Sequence, residues 1–255
     1  MITAGIDMGA RSIRVLILKD GEVLARGEST AGFDTAESAE LAFNEALEKA
    51  GITKDQLDKI VATGAGRESA PQATDTVTDV GAAARGAHEV APQARTIIDI
   101  GAEEGRAIKT NGNGKVMDFA VNEKCAAGAG SFTEAMSRAL EVELEEFGAL
   151  SLESTESIPM NAQCAVFAES EVVSLLHAKT PKQDIARAVH DAIADRIVSM
   201  VRRVGIEPEI ALIGAVSRNP GFVDALKRGL ERDVIIPDDA EFVGALGAAL
   251  VATDE

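Results

Sequence analysis

Two segments of this chain repeat one pattern, and that repetition limits the possible folds more than any other feature. "GIDMGARSIRVLIL" and "IIDIGAEEGRAIKT" each run an apolar strand into Ile-Asp-x-Gly-Ala and out into a second apolar strand. The aspartates are Asp7 and Asp99. Each copy continues into a glycine-containing hairpin signal, "KDGE" in the first and "NGNGK" in the second, and then a third strand. An internal duplication is the natural reading. It calls for two similar units with a cleft between them.

The rest of the chain alternates helical and strand patterns, which means α/β layers. "DTAESAELAFNEALEKAGI" has apolar residues at helical spacing, an acidic start and a glycine stop. "LDKIVATGAGR" reads as a strand ending in a Gly-rich turn, and "VTDVGAAARGAHEV" as a small-residue helix. After the second meander come helices in "GSFTEAMSRALEV" and "AVFAESEVVSLLHAK", with a loop at "SLESTESIPM" between them. "PKQDIARAVHDAIADRIVSMVRRVG" is a long amphipathic helix. "EIALIGAVSRNPGFVDALKRGL" is strand, turn and helix, and "VIIPDDAEFVGALGAALVA" a short strand, a turn and a final apolar helix.

Composition removes several classes of function. The chain has 255 residues, 46% of them hydrophobic, enough for a real core, and its net charge is −17. Such a surface repels nucleic-acid phosphates and anionic lipid. With no Trp or Tyr and 8 Phe, there is little to stack bases on. The apolar runs are far shorter than a membrane span, and the N-terminal stretch carries its acid inside the apolar run, unlike a signal peptide. A cytoplasmic protein that binds neither nucleic acid nor membrane is expected.

The Asp-x-Gly turns are the first chemical candidates. Glycine lets backbone N–H groups approach a phosphate closely. The aspartates repel phosphate but can face Mg²⁺ through water. One such turn is common in ordinary hairpins; two in matched positions suit the ends of a triphosphate. No P-loop pattern exists. "ATGAGR" and "LIGAVSRNPGF" each follow an apolar strand, and either is also readable as a plain tight turn. Cys125 and Cys164 are too few for a zinc site and disfavoured as a cytosolic disulfide, and two buried small hydrophobes is the bland alternative. His88, His177 and His190 read as surface or packing residues, and the acidic runs "EVELEEF" and "SLESTES" as solvated faces.

The order Asp-x-Gly, strand-end glycine turn, second Asp-x-Gly, "IGAVSRN" and "GALGAA" resembles the ATPase superfamily of actin, sugar kinases and chaperone ATPases. "NEKCAAGAGSF" and "NAQCAVFAESEVVSLL" resemble, more narrowly, the electron-activating ATPases of 2-hydroxyacyl-CoA dehydratases and benzoyl-CoA reductases. The resemblance implies two duplicated ribonuclease-H-like, actin-like ATPase domains around a nucleotide cleft. The first would span 1–92 plus the C-terminal helix 241–255, and the second 93–240. It implies ATP and Mg²⁺ held by Asp7, Gly9, Ala10, Arg11, Ser12, Asp99, Gly101, Ala102, Gly128, Gly130, Gly214, Ala215, Asn219 and Gly244. It also implies one [4Fe-4S] cluster shared across a dimer axis, with Cys125 and Cys164 giving half of its four thiolates. The "AAGAGSF" helix start would let the cluster approach and donate N–H groups to its sulfurs.

By the same resemblance, ATP binding closes the cleft, closure moves the cluster-bearing helices, and one electron passes to a partner enzyme before hydrolysis resets the chain. Glu103 and Glu104, just after the second turn, are the candidates for orienting the attacking water. Expected partners are a second ATPase subunit, identical or homologous, catalytic reductase or dehydratase subunits, and ferredoxin as donor.

Dehydratase activators usually carry Gly-Gly-Gln where this chain has Gly101-Ala102-Glu103, and a second glycine where it has Ala215. Each change adds a Cβ near the nucleotide, which bears on rate more than on binding. "GAEEGRAI" is more similar to one of the unlike ATPase subunits of benzoyl-CoA reductases, so that reading is favoured here over a homodimeric dehydratase activator. A small-molecule kinase of the same superfamily is the alternative of another class, and an actin-type filament a third.

Overall fold

The structure is a computed structural model, and it describes residues 1–122, 128–160 and 164–254. The first meander is β1 (Ile2–Met8), β2 (Ser12–Lys19) and β3 (Glu22–Thr30). The β2–β3 turn is made by Asp20 at φ 53° and Gly21 at φ 86°, the two positive values a type I′ hairpin needs. Helix α1 (Thr35–Ala50) starts where Asp34 accepts from the N–H groups of Ala36 and Glu37, and stops at left-handed Gly51. It buries Ala39, Ala42, Phe43 and Ala46 against the sheet. Strand β4 (Lys59–Thr63) returns parallel to β1, followed by the two-residue β5 (Asp75–Thr76) and α2 (Asp79–Val90), giving the sheet order β3-β2-β1-β4-β5.

The second meander is β6 (Thr96–Ile100), β7 (Gly105–Thr110) and β8 (Val116–Asn122). Its β7–β8 turn is pinned by Asn111, whose Oδ1 accepts from the N–H groups of Asn113 and Lys115. Helices α3 (Ala129–Leu140), α4 (Leu144–Ser151), α5 (Ala165–His177) and α6 (Lys182–Val204) precede β9 (Ile210–Ile213), which runs parallel to β6. The order is β8-β7-β6-β9, and α7 (Pro220–Leu230) and α8 (Val243–Val251) complete the chain. The mixed α/β architecture with two sheets is the expected one.

The layers follow from strand alternation. Ile6, Ile13, Val15 and Ile17 face Phe43 of α1, while Leu16 and Leu18 face Ala245, Leu246 and Ala249 of α8. In the second sheet Ile98, Ile100 and Ala107 join the core under α3, α4 and α6, and Ile97, Ile108 and Ile213 face Ala83, Ala84 and Ala87 of α2. Helices α2 and α8 cross between the two sheets at contact distance. A Cβ on Gly247 would lie 1.8 Å from the Ala82 carbonyl oxygen, and one on Gly86 2.2 Å from that of Val243. The small residues of both helices therefore set the spacing between the two sheets.

Two local readings change. The "EVELEEF" run does more than meet solvent: its glutamates are exposed, but it forms the first turn of α4 and plants Phe147, 0% exposed, in the core. The strand expected at "VII" reduces to a single bridge between Ala211 and Ile235, because only one residue reaches the edge of β9.

Candidate functional site

The two Asp-x-Gly turns lie at the same end of the two sheets and face one cavity. Asp7 and Asp99 occupy equivalent registers: each sits opposite an arginine on the antiparallel neighbour, Arg14 and Arg106, and beside the last residue of the parallel one, Thr63 and Ile213. The residue that follows on each parallel strand is a glycine in the left-handed region, Gly64 at φ 91° and Gly214 at φ 87°. A Cβ on Gly64 would lie 2.7 Å from Asp7 Oδ1, and one on Gly214 2.8 Å from Asp99 Oδ1. Gly244, at the start of α8, makes room on the other side, since its Cβ would fall 2.7 Å from Asp7 Oδ2. The duplication thus extends to the glycines that seat each carboxylate.

A cavity of about 150 Å³ lies between the turns and is lined by Asp7, Gly9, Ala10, Asp99, Gly101, Glu103, Glu104, Gly214, Ala215 and Gly244 of the expected set. An adjoining cavity of about 440 Å³ shares Ala215 and takes in Arg11, Ser12, Ala102, Gly130 and Asn219. Gly128 lines neither. A Cβ there would sit 1.9 Å from the Ala102 carbonyl oxygen, so Gly128 lies directly against the second turn. Gly130 is equally tight, its Cβ position 2.8 Å from Ala102 Cα. The start of α3 is hydrogen-bonded onto the second turn, with the Gly130 N–H 3.3 Å from Gly101 O and the Ser131 N–H 3.0 Å from Ala102 O. Arg11, from the first turn, reaches Glu134 of the same helix at 2.8 Å. Helix α3 is therefore in contact with both turns.

Electrostatics single out Asp7. Burial first, and then the facing Asp99 carboxylate, push its pKa up to about 6, while Arg14 and Arg106 pull the other way. Arg106, 11% exposed at its side chain, holds Asp99 at 3.0 Å, Asp79 at 2.8 Å and also Glu104. Asp79 is shared with Arg67 at 3.1 Å. Of the two glutamates expected to orient water, Glu104 is thus ion-paired and Glu103 accepts from the Ser131 hydroxyl.

Sequence reading missed Arg14, Arg106, Asp79 and Glu241, all of which line the first cavity. The signal for the arginines was present, since Asp7–Arg14 and Asp99–Arg106 have equal spacing in the duplicated segments. Nothing local marks Asp79 or Glu241.

Two facing carboxylates in a half-buried cavity are a donor set that suits Mg²⁺ held through water. No group of three or more metal-binding side chains converges among the described residues. For the cluster, Cys125 lies outside the described residues. Cys164 is half-buried at the N-cap of α5, ahead of the exposed Val166 and Phe167. A thiolate at a helix start suits an iron–sulfur ligand. Among the described residues no helix is long and apolar enough to cross a membrane.

The model of the BadF/BadG/BcrA/BcrD ATPase family matches residues 4–252. The 2-hydroxyisocaproyl-CoA dehydratase activator of Clostridioides difficile is 35% identical, covering 100% of this chain and 96% of its own. The (R)-2-hydroxyglutaryl-CoA dehydratase activating ATPase of Acidaminococcus fermentans is 37% identical, covering 98% and 96%. A benzoyl-CoA reductase subunit of Thauera aromatica is 30% identical, covering 98% and 92%. Among solved structures, component A of the Acidaminococcus fermentans (R)-2-hydroxyglutaryl-CoA dehydratase matches with a TM-score of 0.95 at 36% identity, over 100% of this chain and 98% of that one. An activator of 2-hydroxyisocaproyl-CoA dehydratase from Clostridium difficile with bound ADPNP matches with a TM-score of 0.94 at 35% identity, over 100% and 95%.

Proposed function

The chain belongs to the BadF/BadG/BcrA/BcrD ATPase family, and on that premise we propose that it hydrolyses ATP to drive low-potential electron transfer to an acyl-CoA dehydratase of the 2-hydroxyacyl type. The choice of partner follows the relatives. Dehydratase activators are similar at 35% and 37% identity over nearly the whole chain, against 30% for the benzoyl-CoA reductase relative. The benzoyl-CoA reductase reading favoured by "GAEEGRAI" stands second, on that segment alone.

The single observation that carries the proposal is the contact of α3 with both turns. Nucleotide phosphates seated against the N–H groups of the Gly9-Ala10 and Gly101-Ala102 turns would draw these turns together. Asp7 and Asp99 would hold Mg²⁺ through water. Attack of water on the terminal phosphorus breaks the bond to the bridging oxygen, and Glu103, or Glu104 once it leaves Arg106, would take up the water's proton. Because α3 is bonded to Gly101 and Ala102 and reached by Arg11, motion of the second turn would carry the helix that follows the Cys125 segment. The units that close are proposed as 1–92 with the C-terminal helix, and 93–240. Cys125 and Cys164, with two thiolates of a second copy or homologue, would hold a [4Fe-4S] cluster, which supplies one-electron chemistry when bound. Ferredoxin is the proposed donor.

The test is anaerobic purification from the native source. Four irons per two chains, nucleotide-dependent phosphate release to water, and co-elution of the dehydratase are expected. Phosphate appearing on an alcohol instead of in water would replace this reading with a kinase.

A further inference from the structure

Behind the cavity that carries Asn219 lies a buried histidine that ATP hydrolysis and electron transfer leave unused. His190 sits on α6, 1% exposed, its ring 5.0 Å from that of Phe147 on α4. Nδ1 is 2.7 Å from the carbonyl oxygen of Ala186, one turn earlier. A carbonyl only accepts, so Nδ1 carries the ring proton. Burial keeps the second proton off, with the pKa pushed down to about 4. Nε2 is therefore a bare lone pair, and it is buried with no hydrogen-bond partner. Buried polar atoms are usually paired, so the nearest available donor is the one to ask about.

Asp191, Asn219 and Arg228 are the polar side chains that act on the ring, and Asn219, the N-cap of α7, is the one whose side chain lies within hydrogen-bonding reach of it. Its Oδ1 is committed, accepting from the Phe222 N–H at 3.0 Å. What remains is the NH₂ end, which only donates. Gly148 leaves space for this carboxamide, because a Cβ there would lie 2.4 Å from Asn219 Oδ1. Asn219, Gly148 and Ala215 line the same cavity. A donor-only group thus stands between an unsatisfied acceptor and the open pocket.

We propose that His190 is a positioning residue for the nucleotide: its Nε2 takes one N–H of the Asn219 carboxamide when nucleotide is seated, leaving the other aimed into the cavity at an acceptor on the nucleoside. The proposal rests on the ATP reading and specifies the nucleoside end of that site. It makes the orphan nitrogen the device that fixes the amide's orientation, with Oδ1 tied at one end and Nδ2 at the other.

Calorimetric titration with ADP and thermal unfolding without nucleotide test it together. His190→Phe fills the space beside Phe147 and removes the acceptor. Its ADP dissociation constant should rise about tenfold while its melting temperature does not fall. His190→Gln, whose side-chain oxygen can accept, should recover most of the affinity. In the Asn219→Ala background, His190→Phe should add nothing. A lower melting temperature with unchanged ADP affinity overturns the proposal, and so does a His190→Phe effect that adds fully to Asn219→Ala. Should His190→Phe not fold, ¹⁵N spectra of the wild-type ring decide: Nε2 should shift toward a hydrogen-bonded acceptor when ADP is added, and an unmoved signal overturns the proposal. Wild-type protein that binds no ADP overturns the ATP reading itself, a result distinct from either.

Discussion

Replacing Asp7 by Asn should stabilise the nucleotide-free protein at neutral pH while abolishing its response to Mg²⁺-nucleotide. The folded-state pKa of Asp7 is about 6 against an ordinary value of 3.8, so the fold prefers the protonated form. That difference, about 2 on the pH scale, is worth roughly 3 kcal/mol. The sign follows from linkage. Below pH 3.8 the group is neutral folded and unfolded and costs nothing; as pH rises through about 6 the folded state must ionise a buried carboxyl, and the full penalty stands above that. Asparagine has nearly the same shape and no charge. Its NH₂ needs a partner, which returns about 1–2 kcal/mol. A net gain of about 1–2 kcal/mol remains, or roughly 2–8 °C for a chain of this length. The assay is thermal unfolding from pH 4.5 to 8, with and without Mg²⁺-ADP. The variant's advantage should grow from pH 4.5 to about 6.5 and then level off, and the Mg²⁺-ADP stabilisation seen in wild type should vanish. A variant less stable than wild type at pH 8, or an advantage that does not change with pH, would refute the reasoning.

For wild type, Mg²⁺ competes with the proton on Asp7, so Mg²⁺-ADP affinity measured by titration should be flat above pH 7 and fall toward tenfold per pH unit below about pH 6. Gly214→Ala places a Cβ 2.4 Å from the Ile100 carbonyl oxygen at a positive φ, and should cost on the order of 2 kcal/mol in denaturant unfolding together with most nucleotide binding. Arg106→Gln leaves Asp79, Asp99 and Glu104 without their shared cation and should destabilise the protein by roughly 3 kcal/mol in the same assay. Phe43→Ala, far from the site, should cost about 3–5 kcal/mol by opening the α1–sheet core, with ADP affinity unchanged in what remains folded.

Helix α1 shows why so much of the fold was legible. Its cap, apolar stripe and glycine stop are all local, and each is fixed by neighbours within a turn or two. The two meanders were legible for the same reason: alternation and turn chemistry are written in consecutive residues. Helix α4 was not, because a short run of glutamates gives no periodicity, and only Phe147 meeting His190 and the α6 face makes it a core element. In the site, the two aspartates and their glycine turns could be read from motif and repetition. Gly64 was visible only as part of a turn, and its purpose, clearance for a carboxylate on another strand, belongs to three dimensions.

What the amino-acid order determined alone is the duplicated α/β plan and the placement of an aspartate and glycines at each strand end, since both depend on interactions a few residues apart. The tertiary structure decided which charges meet. Arg106 joins Asp79 to Asp99 only because the β6–β7 register and the packing of α2 bring them within 3.0 Å, and Asn219 comes to face His190 only because α7 packs on α6. Coulomb and hydrogen-bond energies fall off over ångströms in space and are blind to separation along the chain, so contacts of this kind appear only once the layers are stacked.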